Sequence, residues 1–165
     1  MFKHRAFIAL GSNLAGDCAD PASQVLRAFV QIDALPHTKL LKKSCLYNSE
    51  PIGYENQANF INAVCEVNTD LSPLDLLDAL FMIEKAAGRV RPFVNAPREL
   101  DCDLLMYDDV QLNTEKLTLP HPRMCDRAFV LLPLSEISPN LTFKNHGNVV
   151  TLANKLKNQG IKKLA

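Results

Sequence analysis

The stretch 58-ANFINAVCEVNT-69 alternates between two kinds of side chain. Successive residues of a strand point to opposite faces of a sheet, so this segment would present two different faces. One face is apolar and comprises Ile61, Ala63, Cys65 and Val67. The other carries an aromatic ring, an amide and an aliphatic group, namely Phe60, Asn62 and Val64. The alternation predicts a β-strand here.

The signals of a helix follow this strand directly. Ser72 is a typical N-cap, Pro73 suits the first helical position, Asp75 suits the first turn, and Gly88 is typical of a helix end. The buried stripe of this helix is expected to be Leu77, Leu80, Phe81 and Ile83.

Similar patterns flank this strand–helix unit on both sides. Upstream, they predict a strand over 6–10, a helix from Asp20-Pro21 to Leu35-Pro36, an imperfect strand over 38–47 and a loop over 48–57. Downstream, they predict a strand over 100–107, a turn at 108–109, and helices over 127–132 and 151–157.

The resulting order is β-α-β-β-α-β with additions at the C-terminal end. This order is typical of an α+β, ferredoxin-like split βαβ sandwich, in which helices cover one face of a mainly antiparallel sheet. The length of 165 residues suits one continuous core, so we expect a single domain over 1–165.

The overall charge argues against partners that are recognised by a net field. Eighteen basic residues balance eighteen acidic ones, so we expect no nucleic-acid partner and no membrane association. The apolar run near the N-terminus is too short for a signal peptide, and no segment is long enough to span a bilayer. Five cysteines without a CxxC pair favour reduced thiols, so we expect a cytoplasmic protein. Separately, we expect the protein to be a monomer.

A pair of acidic residues lies in the predicted strand over 100–107. Asp101 and Asp103 are two positions apart, about 6.6 Å along a strand, and point to the same face. The opposite, core-facing side would comprise Leu100, Cys102, Leu104 and Met106. Paired carboxylates repel one another unless cations lie between them, and Mg²⁺ is commonly held by one or two carboxylates together with phosphate oxygens. From this pair alone, two solvated aspartates are an equally good interpretation.

Arginines are concentrated near these aspartates. Five of the seven fall between residues 89 and 127, and Arg98 precedes Asp101 by three positions. Arginine binds phosphate through a planar fork, although a salt-bridged surface would also explain the number alone. Cations from several elements beside two carboxylates favour a site for Mg²⁺ and the phosphates of a nucleotide.

Two further sets of residues are ambiguous by themselves. Phe60 and Asn62 share a strand face, where the ring could stack on a flat heterocycle and the amide could hydrogen-bond its edge, but both are also common structural residues. His121 is framed by two prolines in 120-PHPRM-124, and a lone histidine is more often structural than catalytic.

Taken together, these motifs resemble the 6-hydroxymethyl-7,8-dihydropterin pyrophosphokinase family of folate biosynthesis. The matching segments are IALGSNL at 8–14, YNSEPIGYENQANFINAV at 47–64, GRVR at 88–91, APRELDCDLL at 96–105 and LTLPHPRMCDRAFVLLPLSEI at 117–137. The sequence departs from the family at 92–97, where a tryptophan common in the substrate-closing loop is missing.

The resemblance implies a role for each matching residue. Asp101 and Asp103 would hold two Mg²⁺ ions, and together with Arg89 and Arg98 they would form the catalytic set. The pterin would be bound by Ser49, Pro51, Ile52, Gly53, Phe60, Asn62 and Phe129. ATP, the co-substrate, would be bound by Glu84, Arg91, Arg98, Leu104, Lys116, Leu117, Thr118, His121 and Arg127.

The implied reaction is pyrophosphoryl transfer from ATP to the hydroxymethyl group of the pterin, with AMP as the second product. An Mg-dependent nucleotide hydrolase or ordinary kinase built on the same aspartates would release a different nucleotide or pyrophosphate. A non-catalytic ferredoxin-like module that binds RNA or a regulatory ligand is a third possibility, although such RNA-binding domains normally have a basic face.

Overall fold

The computed structural model describes residues 2–51, 56–88 and 99–164. Within these ranges the strands are β1 (His4–Ser12), β2 (Thr38–Lys43), β3 (Tyr47–Ser49), β4 (Phe60–Thr69), β5 (Asp101–Tyr107), β6 (Leu112–Asn113), β7 (Thr118–Leu119), β8 (Thr142–Phe143), β9 (Gly147–Asn148) and β10 (Ile161–Lys163). The helices in the same ranges are α1 (Pro21–Asp33), α2 (Pro73–Ala86), α3 (Ala128–Ile137) and α4 (Val149–Lys155). None of these helices is both long and apolar enough to cross a bilayer.

The main sheet is antiparallel and is organised around β4. One edge of β4 pairs with β1, which in turn pairs with β5. The other edge pairs with β2 along one half and with β3 along the other. Strand β10 pairs with the outer edge of β3. The order β2–β4–β1–β5 is that of a split βαβ unit, so the predicted ferredoxin-like α+β class is confirmed.

Helices cover both faces of the sheet, not one face as predicted. Helices α1 and α2 pack on the face that carries Ile8, Cys65 and Leu104. Helices α3 and α4 pack on the opposite face, against Phe7 and Val64 among others. The C-terminal additions supply this second layer, and it is this face that carries Asp101 and Asp103.

The two predicted helix starts are correct. The carboxylate of Asp20 accepts the Ser23 N–H at 2.8 Å, and the Ser72 hydroxyl accepts the Asp75 N–H at 3.1 Å. Gly88 has a φ of +95°, the left-handed conformation expected after a helix end. Each cap depends only on residues three positions apart, and for that reason the sequence predicted it well.

Several boundaries and burial predictions were wrong. The imperfect strand over 38–47 is two strands, β2 and β3, and β3 extends into the predicted loop over 48–57. On α2 the buried positions include Leu76, whereas Phe81 is 48% exposed. Helix α3 continues through Pro133 to Ile137, beyond the predicted end at 132.

A β-bulge at Leu105 changes which face of the sheet the side chains near the end of β5 occupy. Phe7 of β1 pairs with Met106, but the next residue, Ile8, pairs with Leu104, so Leu105 is an extra residue. Met106 therefore packs against the second helix layer together with Phe7, and not on the side of Leu104 as alternation predicted. Asp101 and Asp103 lie before the bulge and keep the predicted common face.

Candidate active site

The two aspartates lie on β5 beside the smallest residues of β1. In the strand register Asp101 pairs with Gly11, and Asp103 pairs with Ala9. Both carboxylate residues are half-buried. Neighbours across paired strands share a face, so Gly11 and Ala9 leave space on the sheet surface next to both acids.

A cavity of about 150 Å³ lies on this part of the sheet, between β4, β5 and the start of α3. We call it the first cavity. Its lining comprises Ala9, Leu10, Gly11, Ser49, Glu50, Phe60, Asn62, Asp101, Asp103, Arg123, Arg127 and Phe129. The structure thus brings both aspartates together with an aromatic ring and an amide of β4, although 40 residues separate them in the sequence.

The amide of Asn62 is fixed at the floor of the first cavity. Asn62 and Ser49 are buried, and the Ser49 hydroxyl donates a hydrogen bond to Asn62 Oδ1. Asn62 also pairs with Gly11, and a Cβ added at Gly11 would lie 3.1 Å from Asn62 Nδ2. Glycine is therefore the residue that leaves room for the amide beside β1.

The opposite wall is formed at the N-terminus of α3. Phe129 lies in the first turn of this helix, and its ring is half-buried. The guanidinium carbon of Arg127 is 5.4 Å from the centroid of the Phe129 ring, within the range of a cation–π contact. This wall therefore combines a flat apolar surface with a positive charge.

A second cavity, of about 260 Å³, borders Asp103 from the other side. Its lining comprises Leu77, Cys102, Asp103, Leu104, Lys116, Leu117, Thr118, His121 and Pro122. Five residues that the resemblance assigned to ATP are thus found together, namely Leu104, Lys116, Leu117, Thr118 and His121. Asp103 lines both cavities.

His121 is held against the outer edge of β5. Its backbone N–H donates to the Leu105 carbonyl at 2.8 Å, and its Nδ1 accepts the Arg123 N–H at 3.2 Å. Burial lowers the pKa of His121, and the guanidiniums of Arg127 and Arg123 lower it further. A neutral ring that accepts at Nδ1 carries its proton on Nε2, so His121 can donate one hydrogen bond from that atom.

Glu84 is placed differently from the other residues assigned to ATP. Glu84 is buried in α2, and its Oε2 accepts the backbone N–H of Cys102 at 2.7 Å. Cys102 is the residue between Asp101 and Asp103 in the sequence. Burial raises the pKa of the Cys102 thiol, and the charges of Glu84, Asp101 and Asp103 raise it further. Glu84 is absent from the described lining of both cavities and contacts the β5 backbone from the side of α2.

The donor set of the first cavity fits Mg²⁺. Within the described ranges, no group of three or more His, Cys, Asp or Glu side chains is arranged to hold a metal ion by itself. Mg²⁺ commonly uses only one or two protein carboxylates and takes its other ligands from phosphate and water. Two carboxylates on one strand face, next to an open cavity, match this requirement.

Comparison with known families shows to which protein family this chain belongs. A family model described as 7,8-dihydro-6-hydroxymethylpterin-pyrophosphokinase (HPPK) matches residues 7–139. The chain belongs to this family. The resemblance inferred from the sequence is therefore confirmed, and the protein is a pyrophosphokinase.

Relatives from two bacteria match nearly the whole length of this chain. The 2-amino-4-hydroxy-6-hydroxymethyldihydropteridine pyrophosphokinase of Pseudomonas aeruginosa is 41% identical over 160 residues, which cover 97% of this chain and 96% of the relative. The Haemophilus influenzae protein of the same name is 40% identical over 159 residues, covering 96% and 97%.

Solved structures agree on the fold. A crystal structure of Plasmodium falciparum HPPK-DHPS with pteroate superposes with a TM-score of 0.71 at 16% identity. The match covers 94% of this chain but only 43% of that one, so this chain spans less than half the length of the two-part protein. At this identity the likeness supports the shared architecture alone.

Some predicted site residues are placed differently, and others are not described. Arg127 was assigned to ATP but lines the first cavity, and Pro51 is half-buried outside the described lining of either cavity. The remaining predicted residues, Ile52, Gly53, Arg89, Arg91 and Arg98, lie outside the described residues, as does the tryptophan-less segment 92–97.

Five lining residues of the first cavity had been given no site role from the sequence, and three of them, Gly11, Glu50 and Arg123, are polar or lie beside polar groups of the site. Arg123 belongs to the arginine-rich region and to the PHPRM motif, and these signals were sufficient to assign it. Glu50 lies in the predicted loop over 48–57, next to Ser49, which was assigned to the pterin. Gly11 carries no local signal, because its role depends on which residues β4 and β5 place beside it.

Proposed function

We propose that this enzyme transfers the terminal pyrophosphoryl group of ATP to the hydroxymethyl oxygen of 6-hydroxymethyl-7,8-dihydropterin, in the synthesis of folate. The products are AMP and the pterin diphosphate. The observation that carries this proposal is that Asp103 borders two cavities of different character. One cavity has the aromatic and amide lining suited to a pterin, and the other contains the residues that match the family's nucleotide side.

The pterin would occupy the first cavity. Phe60 and Phe129 supply flat apolar surface from opposite walls, and stacking on such rings suits a planar heterocycle. The Asn62 amide, fixed by Ser49, supplies a directional hydrogen-bonding group at the floor. This arrangement supports recognition of both the shape and the polar edge of the ring.

ATP would occupy the second cavity, with its phosphates directed towards Asp103. Leu104 and Leu117 supply apolar surface for the base, whereas Lys116 and the Nε2–H of His121 supply donors for its polar groups. The phosphates would then reach the first cavity, where Arg123 and Arg127 carry positive charge. This geometry would bring the β-phosphate to the hydroxymethyl group.

Asp101 and Asp103 would hold two Mg²⁺ ions, which when bound supply positive charge to the phosphate oxygens. The chain's own cations act on the same charge. Arg123 and Arg127 border the cavity, and Arg89, Arg91 and Arg98 match the family's phosphate-binding arginines. Guanidiniums aimed at charge that develops during transfer are among the strongest contributions to catalysis.

In the transfer step, the hydroxymethyl oxygen forms a bond to the β-phosphorus and the bond from that phosphorus to the α-phosphate oxygen breaks. AMP leaves with both electrons of that bond, and the hydroxyl proton is released. Burial, and next the guanidiniums of Arg127 and Arg123, lower the pKa of His121 and favour its neutral ring. Because Nδ1 of that ring accepts the Arg123 N–H, His121 would act on the nucleotide as a hydrogen-bond donor from Nε2.

The product nucleotide tests this proposal most directly. The purified protein is incubated with ATP, Mg²⁺ and 6-hydroxymethyl-7,8-dihydropterin, and AMP is separated from ADP by chromatography. We expect AMP in a one-to-one ratio to pterin diphosphate. ADP would indicate an ordinary kinase instead, and AMP with free pyrophosphate would indicate a hydrolase.

Matched variants test the roles of the two aspartates. Asp101→Ala and Asp103→Ala should each lower kcat by at least roughly a hundredfold, the scale of loss for a group that stabilises transition-state charge. Asp109→Ala, in the exposed turn after the same strand, should retain wild-type activity. Full activity in both cavity variants, with unchanged Tm, would refute the assigned roles.

The same proposal includes the setting in which the enzyme acts. All five cysteines are free, which supports a reducing, cytoplasmic location. We propose a single domain over 1–165 that acts as a monomer. Size-exclusion chromatography with light scattering would test the monomer, and a dimer stable at micromolar concentration would contradict it.

A further inference from the structure

Helix α3 begins without a capping side chain of its own. Its N-cap residue is Arg127, which makes no side-chain hydrogen bond to the first helical turn. The first N–H groups of a helix have no partner within the helix, and they need an acceptor from elsewhere. This matters because Arg127 and Phe129 form one wall of the first cavity.

The acceptor comes from the C-terminal end of the described chain. Gln159 Oε1 accepts the Ala128 N–H at 2.9 Å, and Gln159 Nε2 donates to the Asp126 carbonyl at 3.0 Å. One amide therefore holds the backbone on both sides of Arg127. Residue 159 lies beyond the segment 7–139 that matches the family model.

The next two residues contact the other wall of the same cavity. The Gly160 carbonyl accepts the Glu50 N–H at 3.0 Å, and Ile161 pairs with Ser49 in the β10–β3 ladder. A Cβ added at Gly160 would lie only 2.5 Å from Cδ and Oε2 of Glu50, which itself lines the cavity. Three consecutive residues thus connect the β3 wall to the α3 wall.

We propose that Gln159 is a positioning residue for the pterin and that, with Gly160, it sets the separation of the two walls of the first cavity. This inference rests on the proposed function, since it assumes that the first cavity binds the pterin. Gln159 lies outside the described lining of both cavities, so it would act through the backbone that carries Arg127 and Phe129. The second cavity receives no residue from this segment, so an effect on pterin binding should exceed any effect on ATP.

The test measures KM for each substrate with the other saturating. Gln159→Ala removes both hydrogen bonds and should raise the KM for the pterin by roughly three- to tenfold, the range expected for one or two lost hydrogen bonds. The KM for ATP should change less than twofold. Gln159→Glu keeps the acceptor for the Ala128 N–H at the helix N-terminus but loses the donor to the Asp126 carbonyl, so it should raise the KM for the pterin by less than Gln159→Ala does.

Two further variants make the result decisive. Asn158→Ala, at the exposed neighbouring position, should behave as wild type. Gly160→Ala would displace the Glu50 side chain, which lines the cavity, and strain a backbone with φ of +69°, so it should also raise the KM for the pterin more than that for ATP. Should Gln159→Ala fail to fold, Gly160→Ala and Gln159→Glu still give a result.

The outcomes separate this inference from the proposed function. Equal increases in both KM values together with a lower Tm would show a merely structural role and would overturn the inference. Wild-type kinetics in Gln159→Ala would overturn it as well, while AMP formation by the wild-type protein would leave the proposed function standing. If the wild-type protein forms no AMP, the proposed function itself fails.

Discussion

The two cavities that meet at Asp103 are built in different ways. The second cavity is lined by residues 102–122, with Leu77 as the one described exception. The described lining of the first cavity comes from five separated segments, 9–11, 49–50, 60–62, 101–103 and 123–129. The second is therefore nearly a local property of one chain segment, whereas the first exists only once the sheet and α3 have assembled. Substitutions in distant segments should therefore weaken pterin binding far more than nucleotide binding.

The largest effect on this contrast should come from Gly11→Val. The new side chain would project between Asn62 and Asp101, where even a Cβ lies 3.1 Å from the Asn62 amide. Overpacking of this kind costs about 1–3 kcal/mol, so the KM for the pterin should rise roughly ten- to a hundredfold. Steady-state kinetics would check this, and an equal rise in the KM for ATP would remove the distinction between the cavities.

A smaller effect is expected from Phe129→Ala, which removes one aromatic wall of the first cavity. Stacking between aromatic groups contributes about 0.5–1.5 kcal/mol beyond simple burial, so the KM for the pterin should rise about tenfold. The matched control is Phe81→Ala, which removes an exposed ring on α2. Pterin kinetics that are the same in the two variants would show that Phe129 does not contact the substrate.

The converse prediction concerns the second cavity. Lys116→Met should raise the KM for ATP roughly two- to fivefold, the small effect typical of an exposed charge, and leave the pterin unaffected. Lys116 is paired with Asp78 at 2.8 Å, and both side chains are more than half exposed. Asp78→Asn would release the lysine without removing it, so this variant should bind ATP at least as well as wild type.

The smallest effect should be one of stability, on the β3 side of the first cavity. Partial burial opposes ionisation of Glu136, but hydrogen bonds from the Cys45 N–H and the Tyr47 hydroxyl lower the pKa of Glu136 overall. A lowered carboxyl pKa stabilises the folded state above the ordinary carboxyl pKa, and this contribution disappears as pH falls through the lowered value.

Glu136→Gln should therefore unfold more easily than wild type at neutral pH, by about 1 kcal/mol, and the difference should shrink on acidification. Urea denaturation at several pH values would measure this. A difference that is constant with pH would indicate that the carboxylate charge has no part in the attachment of β3 to α3.

Much of the site was predictable because its signals are local. Alternation along β5 placed Asp101 and Asp103 on one face, and the family resemblance identified five residues that line the second cavity. The predicted orientations of Met106 and Phe81 were wrong for different reasons. A bulge changed the pairing partner of Met106, whereas packing rotated α2 so that Leu76 is buried.

By itself, the sequence determined the central strands β1, β4 and β5, the capped starts of α1 and α2, and the common face of the two acids, because each depends on residues a few positions apart. Tertiary structure alone decided that both faces of the sheet are covered, that Gly11 opens the floor beside Asn62, and that Gln159 caps α3. These features depend on contacts between distant segments, and no short-range pattern specifies which segments will meet.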